Sequence, residues 1–217
     1  MSSVFSRFLA FMTRPFIALS IVTFIVVAFL YIDRPLAIDL AGIDFRTNLT
    51  VMNWFTKLGL GVIYLALFLA AALFFRYVKK NPLWEARMWF LWLCVLIPGV
   101  ICGVLKVLLG RARPDMLFKS QAYGFYGLQT KAPFWSFPSG HTTTIMGVAL
   151  GLCVLFPRYC YAFAIGGFLV AASRVLLTHH YLSDVLAASY LTLLEIGLLL
   201  WVLQKKNWLK PAWQRAI

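Results

Sequence analysis

Three short polar segments interrupt an otherwise apolar chain, and their residue types together suit one reaction, the transfer of a phosphoryl group. The first runs from Lys106 to Arg113 and Pro114, the second is Pro138-Ser139-Gly140-His141, and the third is Ser173-Arg174 followed by His180 and Asp184. Lys106, Arg113 and Arg174 offer three cations to a dianionic phosphate, and each arginine can hold two oxygens at once. Ser139 and Gly140 precede an apolar run, so their backbone N–H groups stand at a helix N-terminus. An anion is stabilised there, and glycine permits close approach. His180 and Asp184 are four residues apart and share a face on a helical turn. A carboxylate in that position holds one imidazole nitrogen and leaves the other free to attack. His141 remains as the acid for a leaving alkoxide.

Each piece alone has an ordinary explanation. Lys106 and Arg113 read as interfacial anchors, residues 138–140 as a plain loop-to-helix start, and Arg174 as a structural ion-pair partner of Asp184. Their coincidence outweighs these readings. The segments fall where the chain enters or leaves an apolar run, and all three come to the same expected side of a membrane. Ionisable groups at membrane depth are costly and usually mark function.

The elements that must position them are long and apolar. Residues 16–32, 58–75, 88–109, 141–156, 161–178 and 185–203 are candidates to cross a hydrocarbon core about 30 Å thick. The fourth is short, and Thr142 to Thr144 make its outer turn polar. The composition agrees: 62% apolar and 12% charged, with a mean hydropathy of +0.85. Soluble domains carry about a quarter charged residues. The expectation is an all-α membrane protein, a six-helix transmembrane bundle forming a single domain over residues 1–217. Arg7 and Arg14 ahead of the first stretch resemble a signal peptide, but no small-residue cleavage site follows, so an uncleaved first helix is expected.

The net charge of +13 raises nucleic acid as a partner. The basic residues form no single patch, however, and sit mostly between apolar runs, as membrane topology requires; nucleic acid is set aside. Eleven basic residues, among them Arg76, Lys79, Lys80, Lys205, Lys206 and Arg215, fall on one side, against six on the other once Lys106, Arg113 and Arg174 are set aside for a site. Asp33, Asp39, Asp44, Asp115 and Asp184 fall on the other, with the three polar segments. Both termini are therefore expected in the cytoplasm.

Two connections exceed what a turn needs. Residues 33–57 space Ile38, Leu40, Ile43, Phe45, Leu49, Met52 and Trp54 among polar residues, which predicts an amphipathic helix along the interface. Residues 110–139 read as an irregular periplasmic loop capping the bundle, with Phe134, Trp135 and Phe137 able to rest on acyl chains. Cys94, Cys102, Cys153 and Cys160 fall in or beside apolar runs and read as small hydrophobes. No acidic cluster offers a metal site, and no cofactor is expected. Arg111 reads as an interfacial anchor, with a head-group contact as the alternative; His179 receives a structural or secondary role and Glu195 none.

The three segments resemble the signature motifs of the type-2 phosphatidic acid phosphatase superfamily, matching at Lys106 to Pro114, Pro138 to His141 and Ser173 to Asp184. The resemblance implies a phosphohistidine mechanism without metal. In it His180 is the nucleophile, Asp184 orients it and His141 protonates the leaving oxygen, while Lys106, Arg113, Ser139, Gly140 and Arg174 bind the phosphoryl group. The implied substrate is a phospholipid or polyprenyl phosphate: phosphatidylglycerophosphate, phosphatidic acid, undecaprenyl diphosphate or lipid A 1-phosphate. The expected location is a bacterial inner membrane, with the site facing the periplasm. Transfer of phosphate to a second lipid is the alternative reaction, and anion transport a more distant one. The hydrophobicity excludes a soluble haloperoxidase with similar anion-site motifs.

Overall fold

The structure is a computed structural model that describes residues 4–48 and 50–213, apart from the side chains of residues 46, 48, 50, 51, 211 and 213. Leu49 and Arg215, both given roles above, lie outside the described residues.

Helix α1 (Val4–Met12) leads into α2 (Pro15–Val27), whose first position is a proline already set for helical φ. A π-helical turn (Ala28–Ile32) carries α2 straight into α3 (Asp33–Ile43). Short helices α4 (Phe45–Asn48) and α5 (Thr50–Phe55) and a 3-10 turn (Thr56–Gly59) reach α6 (Gly61–Tyr77). Helix α7 (Pro82–Leu109) begins at a second N-terminal proline, with the Asn81 side chain accepting from the N–H groups of Leu83 and Trp84. After α8 (Pro114–Ser120) come α9 (Gly140–Leu155), α10 (Cys160–Leu176) and α11 (Leu182–Lys205).

The protein is a multi-pass membrane protein. Among the described residues four helical stretches are long and apolar enough to cross: Pro15–Ile43, Pro82–Leu109, Pro157–Leu176 and Leu182–Lys205. A fifth is reached if Met52–Gly59 and Gly61–Tyr77, bent by 54°, count as one broken span. Helix α9 has 16 residues, or about 24 Å at 1.5 Å per residue, short of a 30 Å core. Length alone therefore does not reach six spans.

One expectation needs correcting. The interfacial helix predicted in residues 33–57 does not start as a separate element, because α3 continues the first span and buries Asp33, Ala37 and Leu40. An aspartate is tolerated there because a cation meets it, as described below.

Helix α9 is the centre of the bundle, with α7, α10 and α11 packed around it. It is buried on all faces, as its all-round apolar character requires. Close approach to α7 depends on Gly147, where an added Cβ would lie 2.3 Å from the Cys94 carbonyl oxygen. That contact sets where the start of α9 stands against the end of α7. Helix α2, by contrast, buries nothing and presents an apolar surface suited to lipid.

Candidate functional site

The first polar segment closes α7. Lys106 lies in its last turn, and Gly110 ends the helix at φ +56°, where a Cβ would strike the Gly127 carbonyl oxygen at 2.0 Å. Only glycine suits that turn. The following loop folds back on it: the N–H of Ala112 donates to Gly124, that of Arg113 to Pro133 and that of Ser136 to the Arg111 carbonyl. Residues 110–139 are thus an ordered loop whose backbone hydrogen bonds are met largely by its own strands of chain.

Lys106 Nζ donates to the carbonyls of Trp135, at 2.8 Å, and Pro138, at 2.6 Å. These bonds tie the first segment to the second. Ser139 caps α9 and is fully buried, and its hydroxyl accepts from Thr142 Oγ1 at 3.0 Å. Its own N–H donates to the Asp184 backbone carbonyl at 3.3 Å. The Ser139 amide expected to face an anion is therefore already engaged. The N–H groups of Gly140, His141 and Thr142, which have no acceptor one turn earlier in the helix, keep that capacity.

The third segment lies across the other two. Arg174 Nη1 donates to Thr56 Oγ1 at 2.8 Å, which fastens the end of α10 to the turn before α6. The chain then reverses, with the N–H groups of His179 and His180 both donating to the Arg174 carbonyl. Asp184 sits in the first turn of α11, where its Oδ2 accepts from the Tyr181 N–H at 3.0 Å. The same oxygen accepts from Ser136 Oγ at 2.5 Å and lies 3.5 Å from His180 Nδ1.

Burial, aided by Lys106 and Arg174 and opposed by Asp184, pushes the His180 pKa down to about 3. Its imidazole is neutral at ordinary pH, with Nδ1 towards Asp184. The charges of Arg174, Arg113 and Lys106 all reach His141. A cavity of about 240 Å³ gathers Lys106, Gly140 and His141 with Gly59, Cys102 and Thr144. His180, Asp184, Ser139, Arg113 and Arg174 stand outside its lining.

Arg111 requires a second correction. Far from anchoring at the interface, it is fully buried, with ring centroids of Phe29, Tyr123, Phe125 and Tyr181 4.5–5.7 Å from its guanidinium carbon. Its Nη1 donates to Asp184 Oδ1 at 2.5 Å and to Ser183 Oγ at 2.7 Å, and its Nη2 to Asp33 Oδ2 at 2.7 Å. Asp33 in turn accepts from the Ser183 N–H at 3.0 Å and from its hydroxyl at 2.5 Å. Burial alone would lower the pKa of Arg111, but Asp184 and Asp33 outweigh it and raise it. Asp184 thus has Arg111 as an ion-pair partner, a pairing that the sequence had suggested for Arg174. Asp33, Ser136 and Ser183 carried no sequence signal, since serine and aspartate near helix ends are ordinary.

Among the described residues no three His, Cys, Asp or Glu side chains converge as metal ligands. Both Glu195 carboxylate oxygens are buried with no hydrogen-bond partner there.

Fold and site together define a helical membrane protein whose polar groups collect at one set of helix ends. A family model described as "PAP2 superfamily" matches residues 87–208, more than half the chain, and the protein belongs to that superfamily. Two curated relatives named lipid A 1-phosphatase, from Rhizobium etli and Rhizobium johnstonii, are 38% and 37% identical over 98 residues. That stretch is 45% of this chain and 42% and 40% of theirs, so the chain spans about two fifths of the length of these relatives. A solved structure, the first transmembrane PAP2 type phosphatidylglycerolphosphate phosphatase from Bacillus subtilis, aligns with a TM-score of 0.53 at 25% identity. It covers 93% of this chain and 92% of that one.

Proposed function

We propose that the protein is a lipid phosphate phosphatase in which His180 forms a phosphohistidine intermediate without a metal ion. The observation that carries this reading is a buried imidazole whose Nδ1 lies 3.5 Å from the Asp184 carboxylate, itself ion-paired to Arg111. Its 3.5 Å contact with Asp184 is long, and such contacts commonly tighten when substrate binds.

His180 Nε2 attacks phosphorus as the bond to the lipid oxygen breaks, and His141 gives its proton to that oxygen. A water then forms the new P–O bond while the N–P bond breaks, with His141 taking the water's proton. Lys106, Arg113, Arg174, the Ser139 hydroxyl and the Gly140 amide hold the phosphoryl oxygens and the charge that develops on them. The whole chain acts as one catalytic domain of six passes, α9 being a short pass shielded by its neighbours. The site faces the periplasm of a bacterial inner membrane, beneath the 110–139 loop. The substrate is drawn from phosphatidylglycerophosphate, phosphatidic acid, undecaprenyl diphosphate and lipid A 1-phosphate. The activities named for the relatives favour the first and last of these.

The test is phosphate release in detergent from those four lipids, with EDTA present, by wild type and by His180→Ala. Release that survives EDTA and vanishes in the variant supports the reading; release by the variant ends His180's part as nucleophile. His179→Ala should keep most of its activity.

A further inference from the structure

Asp184 has two carboxylate oxygens, and only Oδ2 faces His180. The rotation that sets which oxygen points where is broad and roughly two-fold for aspartate, so something must choose. Arg111 takes Oδ1 through Nη1, while the Tyr181 N–H and Ser136 Oγ hold Oδ2 on the His180 side. An arginine fork, however, prefers to grip both oxygens of one carboxylate. A bidentate grip would bring Nη2 onto Oδ2, in competition with the imidazole. Asp33 occupies Nη2, and Ser183 completes the arrangement by accepting from Arg111 Nη1 and donating to Asp33 Oδ2.

We propose that Asp33, Arg111 and Ser183 are positioning residues that hold Asp184 in a monodentate grip and so keep its Oδ2 available to His180. The proposal rests on the reading of His180 as nucleophile. Three observations favour it over a purely structural ion pair. Arg111 is enclosed by four aromatic rings and is fully buried, so its fork has little freedom to turn. One guanidinium is divided between two carboxylates, one nitrogen to each. And Asp33 reaches the site from α3, so its contacts with Arg111 and Ser183 tie the first long helix to the chemistry.

The test compares two tetrahedral anions on the full chain in detergent. Inorganic phosphate and orthovanadate meet the same cations, but only vanadate readily accepts an imidazole nitrogen as a fifth ligand. Its advantage over phosphate therefore reads how well His180 is held. Asp33→Asn keeps an acceptor for the Ser183 N–H and releases Nη2. It should lower kcat by about 10- to 100-fold, as loss of an outer hydrogen-bond partner commonly does. KM should move less than about 3-fold, and inhibition by vanadate should weaken in step with kcat while inhibition by phosphate stays put. Ser183→Ala removes one hydroxyl and provides the milder variant if Asp33→Asn does not fold; it should move the same ratio in the same direction. A folded variant in which phosphate and vanadate weaken together, or in which neither changes, overturns the positioning role. A wild type that binds vanadate no better than phosphate overturns the nucleophile reading, and the positioning role with it.

Discussion

Asp33 and Arg111 stand 78 positions apart in the chain and meet at 2.7 Å, with neither side chain exposed to any degree. The contact joins the first long helix to the loop after α7, and through Asp184 it continues to the start of α11. Three of the site's walls are thereby locked by one guanidinium.

Arg111→Ala should accordingly do more than blunt activity. It leaves two carboxylates buried without their cation, and removing one partner of a buried ion pair typically costs about 3–5 kcal/mol. Thermal unfolding in detergent should show a lower midpoint than Arg34→Ala, whose parent side chain is surface-exposed. Equal midpoints would mean that water reaches the site and replaces the arginine.

His180 gives a pH signature of its own. Its pKa is pushed down to about 3 in the folded protein, with burial the largest cause, from about 6.5 for a free imidazole. Below pH 6.5 the unfolded chain gains a proton that the folded protein refuses, so this residue's contribution to stability falls from pH 6.5 towards 3 and is constant above. Unfolding midpoints at pH 7.5 and 5.0 should differ less in His180→Asn than in wild type. A difference unchanged by the substitution would show that His180 is solvated.

His141 makes a prediction that depends on the leaving group. As the proton donor it matters most when the departing alkoxide is basic. His141→Gln should slow hydrolysis of a lipid phosphate by about 10²- to 10⁴-fold. An aryl phosphate with an acidic phenol, such as p-nitrophenyl phosphate, should suffer far less. Equal losses on both substrates would assign His141 to binding instead.

The glycines of α7 and α9 separate packing from chemistry. At Gly147 a methyl group meets the Cys94 carbonyl at 2.3 Å, whereas at Gly103 it meets nothing within 4 Å. Gly147→Ala should lower stability by about 1–3 kcal/mol, the usual cost of overpacking, whereas Gly103→Ala should raise it slightly, by up to about 1 kcal/mol, because alanine is the better helix former. Thermal melts of the two variants side by side decide it. Matching midpoints would mean that α7 and α9 are less closely packed than 2.3 Å implies.

Composition and motif spacing are enough to give the class of protein and to mark candidate residues for its chemistry. Lys106, Arg113, His141, Arg174, His180 and Asp184 were legible because their types are rare in apolar runs and their order and spacing match a family pattern. Membrane character was legible from composition, since a surface this apolar cannot be covered with polar groups in water. Tertiary structure decided what spacing cannot carry. That the Ser139 amide is spent on Asp184 and that Arg111 is buried between Asp33 and Asp184 are both long-range facts. Apolar periodicity gives no help with them, because in lipid the inner and outer faces of a helix are both apolar. Which face turns inward is then set by close approach at residues such as Gly147 and by polar groups that must find partners away from water. Arg111 and Asp33 found each other for that reason, and nothing local to either residue announces it.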